Sequence, residues 1–348
     1  MAASILLFKR GFPRASYRFL PALCLFFISM LVSVFFAATR TDAMPERIGM
    51  YVAGVCLFLA ALSFTEQERR RTLTVCLAAG AVISFLAIYQ YLFGFSHLAR
   101  FLKENGGSAF TLDYLKSRRV FFPFVTPNTL AAYLGMLLPL YAADRKHMAL
   151  TAPVLIALLL TGSLGAIASV SCVLLVYLLI KKKAAKRKYL VLAAVFLILL
   201  AAVFIIRARA DRAHVLPSFS AAARINYWEK TARVIERNPL LGVGPGNFDL
   251  PSSRYSHNFI LQVWAENGIG GLAGLAWLVV LVFAVGRGRA RTPQSGFLLA
   301  STAVFLLNNL VDFSFFLPEV SLIWWLVAGL AAGSATAVSP ERNSSSES

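Results

Sequence analysis

Acidic side chains are scarce in this sequence, with 16 Asp and Glu against 34 Lys and Arg. Charged residues of both signs make up only 14% of the chain while hydrophobic ones reach 58%, a balance that excludes an ordinary soluble globular domain. Cysteine is equally thin. Cys24, Cys56, Cys76 and Cys172 all fall inside apolar runs, where a thiol behaves as a small apolar side chain. Their spacing gives neither a disulfide framework nor a metal-ligand set. The four histidines, His97, His147, His214 and His257, are too few and too scattered to suggest a zinc site. No internal repeat at a solenoid period is visible.

What is present is a series of apolar runs of about 20 residues, the length of a helix that crosses a bilayer. Ten candidate spans lie near 18–37, 47–65, 72–94, 123–143, 148–161, 163–180, 189–206, 268–285, 296–311 and 318–336. The region 148–180 also reads as one long helix. The expected fold class is therefore all-α, a polytopic integral membrane protein of about ten transmembrane helices, with nine to twelve as the range. The first span is too long, and too continuous with its successors, for a cleaved signal peptide alone. The net charge of +18 would suit nucleic acid, but the cations alternate with spans instead of forming one patch, so no nucleic-acid partner is expected. More than half of them, including Lys9, Arg10, Arg69, Arg70, Arg71 and the run "KKKAAKRK" at 181–188, fall on one side of the ten-span arrangement. By the positive-inside rule that side is cytoplasmic, and both termini lie there.

Two longer segments fall on the opposite side. Segment 95–122 contains a Gly-Gly turn and the pair Arg118-Arg119. Segment 207–256 is the longest polar stretch. Within it Ile225, Trp228, Ala232 and Ile235 are spaced for one face of a helix that Asn238-Pro239 ends. The glycines of "GVGPGNF" (Gly242, Gly244, Gly246) do not form a nucleotide loop, because no strand precedes them and Pro245 interrupts. A tight turn at the membrane surface is expected instead. The organisation is then membrane helices over 1–206, an external loop at 207–256, membrane helices over 257–338 and a disordered polar tail at 339–348.

The stretch "SHNFILQVWAENGIGG" at 256–271 carries the densest pattern. Asn258, Gln262 and Glu266 recur every four residues and form one polar stripe on a helix. That stripe suits helix packing as well as support of a site. Trp228 and Trp264 read as interfacial anchors. The roles of Asn308, Asn309 and Asp312, near the outer end of a span, stay open.

These residues resemble the O-antigen ligase and polymerase family of polytopic membrane glycosyltransferases. The resemblance rests on "PLLGVGPGNF", then His257-Asn258, nine residues and Gly268-x-x-Gly271. Arg224 and Trp228 match the family's Arg-x-x-x-bulky motif, and "RVFFPFVTPNTLAAYLGMLLPL" at 119–140 its Pro-Asn span. It covers roughly 118–285 and is strongest over 224–274. It implies transfer of a glycan from an undecaprenyl diphosphate carrier to an acceptor, lipid A–core in ligases and another lipid-linked glycan in polymerases. The site would lie on the periplasmic side of the bacterial inner membrane, among membrane lipids, without metal or other cofactor. His257 would be the base and Arg224 a diphosphate ligand. The chain departs from the family by reading Ser163-Leu164-Gly165 where many members have Ser-Arg-Gly, and by showing fewer spans than the usual dozen.

Chemistry alone leads the same way. A sugar hydroxyl is a weak nucleophile, and imidazole is the side chain whose ordinary pKa suits it to take the proton near neutral pH. A diphosphate leaving group needs its growing charge neutralised, which guanidinium groups do through paired hydrogen bonds. Outside the membrane the sequence offers Arg118, Arg119, Arg224 and Arg254 for this. Each has a plainer reading: His257 as a cap, Arg224 on a solvated face, Arg118 and Arg119 as headgroup anchors. A transporter or lipid-handling protein without catalysis is the alternative from another class. It would want an inverted repeat, which the sequence does not show, and a carboxylate in mid-span, whereas the carboxylates read as lying in loops or near span ends.

Overall fold

The structure, a computed structural model, describes residues 14–106, 115–143, 146–180, 186–208, 217–251, 253–288 and 293–333. Among these the chain forms twelve α-helices and no strand. They are α1 (Leu20–Phe36), α2 (Ala43–Leu62), α3 (Glu66–Tyr89), α4 (Phe95–Asn105), α5 (Pro127–Ala143) and α6 (Thr151–Leu160). There follow α7 (Leu164–Ile180), α8 (Lys186–Ala208), α9 (Pro217–Arg237), α10 (Phe259–Gly288), α11 (Pro293–Asn308) and α12 (Pro318–Ala332). One π turn, Gln90–Gly94, joins α3 to α4.

Local chemistry sets several of the boundaries. Thr65 and Glu68 open α3 with a reciprocal capping box, the Thr65 hydroxyl accepting from the Glu68 N–H and the Glu68 carboxylate from the Thr65 N–H. Pro21 and Pro318 stand in the first turns of α1 and α12, where the missing N–H costs nothing. Gly162, at φ 62°, separates α6 from α7, so 148–180 is two helices.

Each of the ten apolar runs contains helix, and among the described residues three helical stretches are long and apolar enough to cross a membrane: Ala43–Leu62, Glu66–Asn105 and Phe259–Gly288. Five more apolar helices are shorter, Leu20–Phe36, Met148–Leu160, Leu164–Tyr177, Ser295–Asn308 and Pro318–Ala332. The ten residues of α6 extend only about 15 Å, half of a hydrocarbon core. The apolar helices suit a membrane protein. The cations Lys9, Arg10, Arg145, Arg289, Arg291 and Arg342, the run at 181–185, His214 and the tail at 339–348 lie outside the described residues.

The most extensive helix contacts pair α10 with α1, α12 with α2 and α11 with α5. Glycine sets the closeness of two of these. A Cβ on Gly274 would lie 2.5 Å from the Phe26 nitrogen of α1, and one on Gly329 2.5 Å from the Phe58 oxygen of α2. Between them an aromatic core of Tyr51, Phe58, Phe305, Phe315, Trp324 and Trp325 is buried. The packing brings three pieces together at one end: the first turn of α2, the start of α10, and the 309–317 turn between α11 and α12.

Candidate functional site

Helix α9 lies against the start of α10 by a face that shares Ile235, but not Ile225 or Ala232, with the one its apolar spacing suggests. Ile225 is 52% exposed and Ala232 is also exposed, whereas Tyr227, Thr231, Val234 and Ile235 face inward. Ile235, Phe248, Leu250 and Ala265 form a small core there, with Tyr227, Val234, Leu261 and Trp264 around it. Thr231 escapes an apolar count because its hydroxyl, fully buried, bonds back to the Tyr227 carbonyl at 2.6 Å. Arg237 ends the helix, as Asn238-Pro239 requires.

The glycine loop after α9 docks into a break in α10. Gly268 has φ 68° and ψ −178°, a combination open essentially to glycine alone. Breaking the helix there frees the carbonyls of Ala265 and Glu266, which accept from the N–H groups of Val243 (2.8 Å) and Gly244 (2.9 Å). In return Pro239 accepts from the Ile269 N–H at 3.1 Å and the Trp264 indole at 2.9 Å. A Cβ on Gly242 would stand 2.5 Å from the Glu266 oxygen. The motif glycines are thus the joint between loop and helix, and Trp264 is part of it.

His257 precedes α10 in a left-handed conformation, φ 55°. Its ring stacks on Tyr227 of α9 (centroids 5.4 Å, 18°) and meets the edge of Phe313 (4.8 Å, 79°). Its Nδ1 is buried without a hydrogen-bond partner. Burial lowers the imidazole pKa from 6.5 to about 4; Asp312 opposes the shift and Arg224 adds to it. His257 is therefore neutral at physiological pH, and a base of ordinary pKa is not what the resting site holds.

Arg224, also on α9, is half-buried. Its Nε donates to the Val311 carbonyl at 2.6 Å and a terminal nitrogen to the Ser220 carbonyl at 3.3 Å. Burial lowers its pKa, opposed by Asp312 and Tyr227, but a guanidinium stays charged. Asp312 is the member that the sequence left open. One carboxylate oxygen accepts from Ser314 N–H (3.3 Å), Ser314 hydroxyl and Asn308 amide (3.4 Å); the other is buried and unpaired. Asn309 shapes the turn, accepting from the Phe315 N–H at 2.6 Å while its carbonyl takes the Phe259 N–H at 2.9 Å. The signal in the sequence was polarity itself, "NNLVD" inside an apolar third of the chain. Trp228, one turn after Arg224, keeps a buried indole N–H without a partner.

The polar stripe is a hydrogen-bonded column. Asn258 Oδ1 caps α10 through the N–H groups of Ile260 (3.0 Å) and Leu261 (3.1 Å). Gln262 accepts from the Ser256 N–H at 3.0 Å and donates to Glu266 at 2.9 Å. Glu266, expected near a span end, is fully buried and lies 3.5 Å from Arg47 Nε of α2.

Two of the other candidate arginines are tied to neighbouring loops. Arg119 donates to the Thr161 carbonyl (2.7 Å) and Asn128 (2.8 Å), tying the turn between α6 and α7. Arg118 is exposed, bonded to the Tyr91 carbonyl at 3.3 Å over the Tyr91 ring. Arg254 is exposed on the site's own loop. A cleft of about 290 Å³ beside the glycine loop is lined by Phe36, Thr39, Asn238, Asn247 and Asp249. A larger one of about 490 Å³, near Tyr133 and Glu319, is remote in sequence from α9 and lined mainly by apolar side chains. Neither is lined by His257 or Arg224.

Among the described residues the chain is all-helical, with helices long and apolar enough to cross a membrane, and it holds a buried imidazole within electrostatic reach of a guanidinium and a carboxylate. Residues 149–276 match the family model Wzy_C, described as O-antigen ligase, consistent with an O-antigen ligase-like family. The matched stretch contains Arg224, Arg254, His257, Asn258, Gln262 and Glu266 but neither Arg47 nor Asp312. No curated protein matches the chain.

Proposed function

We propose that this chain is a membrane glycosyltransferase that moves a glycan from an undecaprenyl diphosphate carrier to an acceptor sugar at the outer face of the bacterial inner membrane. The reading is that of an O-antigen ligase, with lipid A–core as acceptor, residues 207–256 periplasmic and both termini cytoplasmic. The observation that carries it is one neutral imidazole, His257, within the electrostatic reach of both Arg224 and Asp312.

The acceptor hydroxyl attacks the anomeric carbon of the donor glycan. A new glycosidic bond forms, the bond from that carbon to the diphosphate breaks, and the hydroxyl proton passes to His257. The diphosphate leaves with its charge on Arg224, joined by the exposed Arg254 of the same loop. Resting His257 is a weak base because it is buried beside Arg224. A bound diphosphate offsets the Arg224 charge and raises the imidazole pKa, so the donor itself readies the base. Asp312 steadies both cations. Arg119 ties the turn between α6 and α7 through Thr161 and Asn128.

The test is transfer by purified protein in detergent with EDTA, supplied with lipid-linked glycan and either lipid A–core or a second lipid-linked glycan. A core-linked product is expected. Product on the lipid-linked acceptor alone would make the chain a polymerase. No new glycosidic bond with any donor tried would favour a non-catalytic lipid-handling protein.

A further inference from the structure

One buried side chain outside the matched region touches both loops that enclose His257. Arg47, in the first turns of α2, is 9% exposed. Its NH1 donates to the Phe316 carbonyl at 3.1 Å, and its guanidinium carbon lies 4.5 Å from the Phe316 ring centroid and 5.9 Å from that of Tyr255. Its Nε stands 3.5 Å from a Glu266 oxygen. That pair is close but not aligned as a hydrogen bond, so the attraction is between charges.

Two chains of contacts run from Arg47 to the imidazole. The polar one passes through Glu266 to Gln262 at 2.9 Å, then from Gln262 to the Ser256 N–H at 3.0 Å, the peptide just before His257. Ser256 in turn holds both sides of His257's successor, donating to the Asn258 carbonyl at 2.7 Å and accepting from the Asn258 N–H at 3.2 Å. The aromatic one passes through Tyr255, which stacks on Phe313 at 4.6 Å, and Phe313 meets the edge of the His257 ring. Left-handed backbone at a non-glycine residue persists only where its surroundings hold it. Arg47 grips both sides of that frame: the 255–258 loop through Glu266 and Tyr255, and the 312–316 turn through Phe316.

We propose that Arg47 is the positioning residue for His257, fixing the ring between Tyr227 and Phe313 through the Glu266–Gln262–Ser256 column and the Tyr255–Phe313 stack. Its catalytic consequence rests on the function proposed above; its structural consequence does not. Lysine can keep the charge opposite Glu266 but not the flat contact with two rings.

The experiment is ¹⁵N-histidine NMR of the full chain in detergent. The chain has four histidines, and the His257 signals are identified by their loss in His257→Gln. Arg47→Lys and Arg47→Met should move the His257 ring signals while leaving those of His97 and His147 in place. The same variants should lower kcat by up to about 100-fold, with KM for the lipid-linked donor within about twofold because Arg224 is untouched. Phe58→Leu, which loosens the same α2–α12 seam at Trp325, should lower Tm without moving the His257 signals. Should Arg47→Met fail to fold, Arg47→Lys decides. Unmoved His257 signals in folded Arg47→Lys, or an equal movement in Phe58→Leu, would overturn the proposal. Moved signals in a protein without transferase activity would keep Arg47 as the positioning residue and remove only the function proposed above.

Discussion

Helix α10 contains two regions of opposite construction on either side of Gly268. Before the break, the buried residues include Gln262, Glu266 and Asn267, and this stretch is tied to Ser256 and the glycine loop by hydrogen bonds and to Arg47 by charge. After it, the buried positions are Gly271, Gly274, Leu275, Leu278, Val282 and Gly286, held by close backbone approach to α1 and α12. The second half is what a bilayer helix needs, where association comes from tight packing of small residues. The first half carries expensive buried polarity, and such groups in an apolar protein mark a position that must be held in one arrangement. The lesson concerns role. The polar stripe that looks most like chemistry is the frame, and the candidate chemistry hangs just outside it, on His257.

The joint between the halves gives the largest expected effect. A Cβ on Gly268 would stand 2.0 Å from the Leu240 oxygen, in a conformation that side chains avoid. Gly268→Ala should cost about 2–6 kcal/mol, read as lost monodisperse protein or a collapsed Tm. Gly288→Ala, at the far end of the same helix with open space around it, should leave Tm unchanged. Equal Tm for the two would contradict the joint.

Arg224 comes next. Removing a charge-assisted contact of about 1.5–3 kcal/mol predicts a roughly 10- to 150-fold fall in kcat/KM for the donor in Arg224→Ala. Arg224→Lys should recover little, because a point charge does not reproduce the paired geometry. Donor kinetics of both variants check this, and a fully active lysine variant would return Arg224 to an ordinary helix surface.

The pH dependence sharpens the contrast between resting and loaded site. The free-enzyme limb, seen in kcat/KM, should fall only near pH 4, where His257 takes up its proton. The limb in kcat should fall at higher pH, since bound diphosphate raises the imidazole pKa. Stability follows the resting value. The unfolded imidazole protonates near 6.5 and the folded one near 4, so unfolding takes up a proton between them. Stability from this group is therefore complete above pH 6.5 and declines as pH falls toward 4. Superimposed kcat and kcat/KM profiles would show that the donor does not act on His257. The smallest effect belongs to Trp264→Phe, which loses one bond to a Pro239 carbonyl that still accepts from Ile269, about 1 kcal/mol by chemical denaturation.

Apolar run length made the helices legible, and His257, Arg224 and the two motif glycines were legible as one ordered pattern. What stayed hidden had physical causes. The inward face of α9 uses Tyr227 and a self-bonded Thr231, which no count of apolar residues finds. Arg47 and Glu266 lie more than two hundred positions apart, so nothing local announces their pairing. Asp312 was visible as a polar residue, but its closeness to Arg224 and His257 depends on how the 309–317 turn folds over the start of α10.

The central claim is that His257 takes the acceptor's proton, and single-turnover transfer with saturating donor tests it most directly. Glutamine keeps polar bulk between Tyr227 and Phe313 without a basic nitrogen, so His257→Gln should fold at wild-type yield and bind donor with unchanged affinity. Its chemical step should be slower by about 10²–10⁴. Transfer by His257→Gln at the wild-type rate would contradict the account and leave the imidazole a buried structural ring.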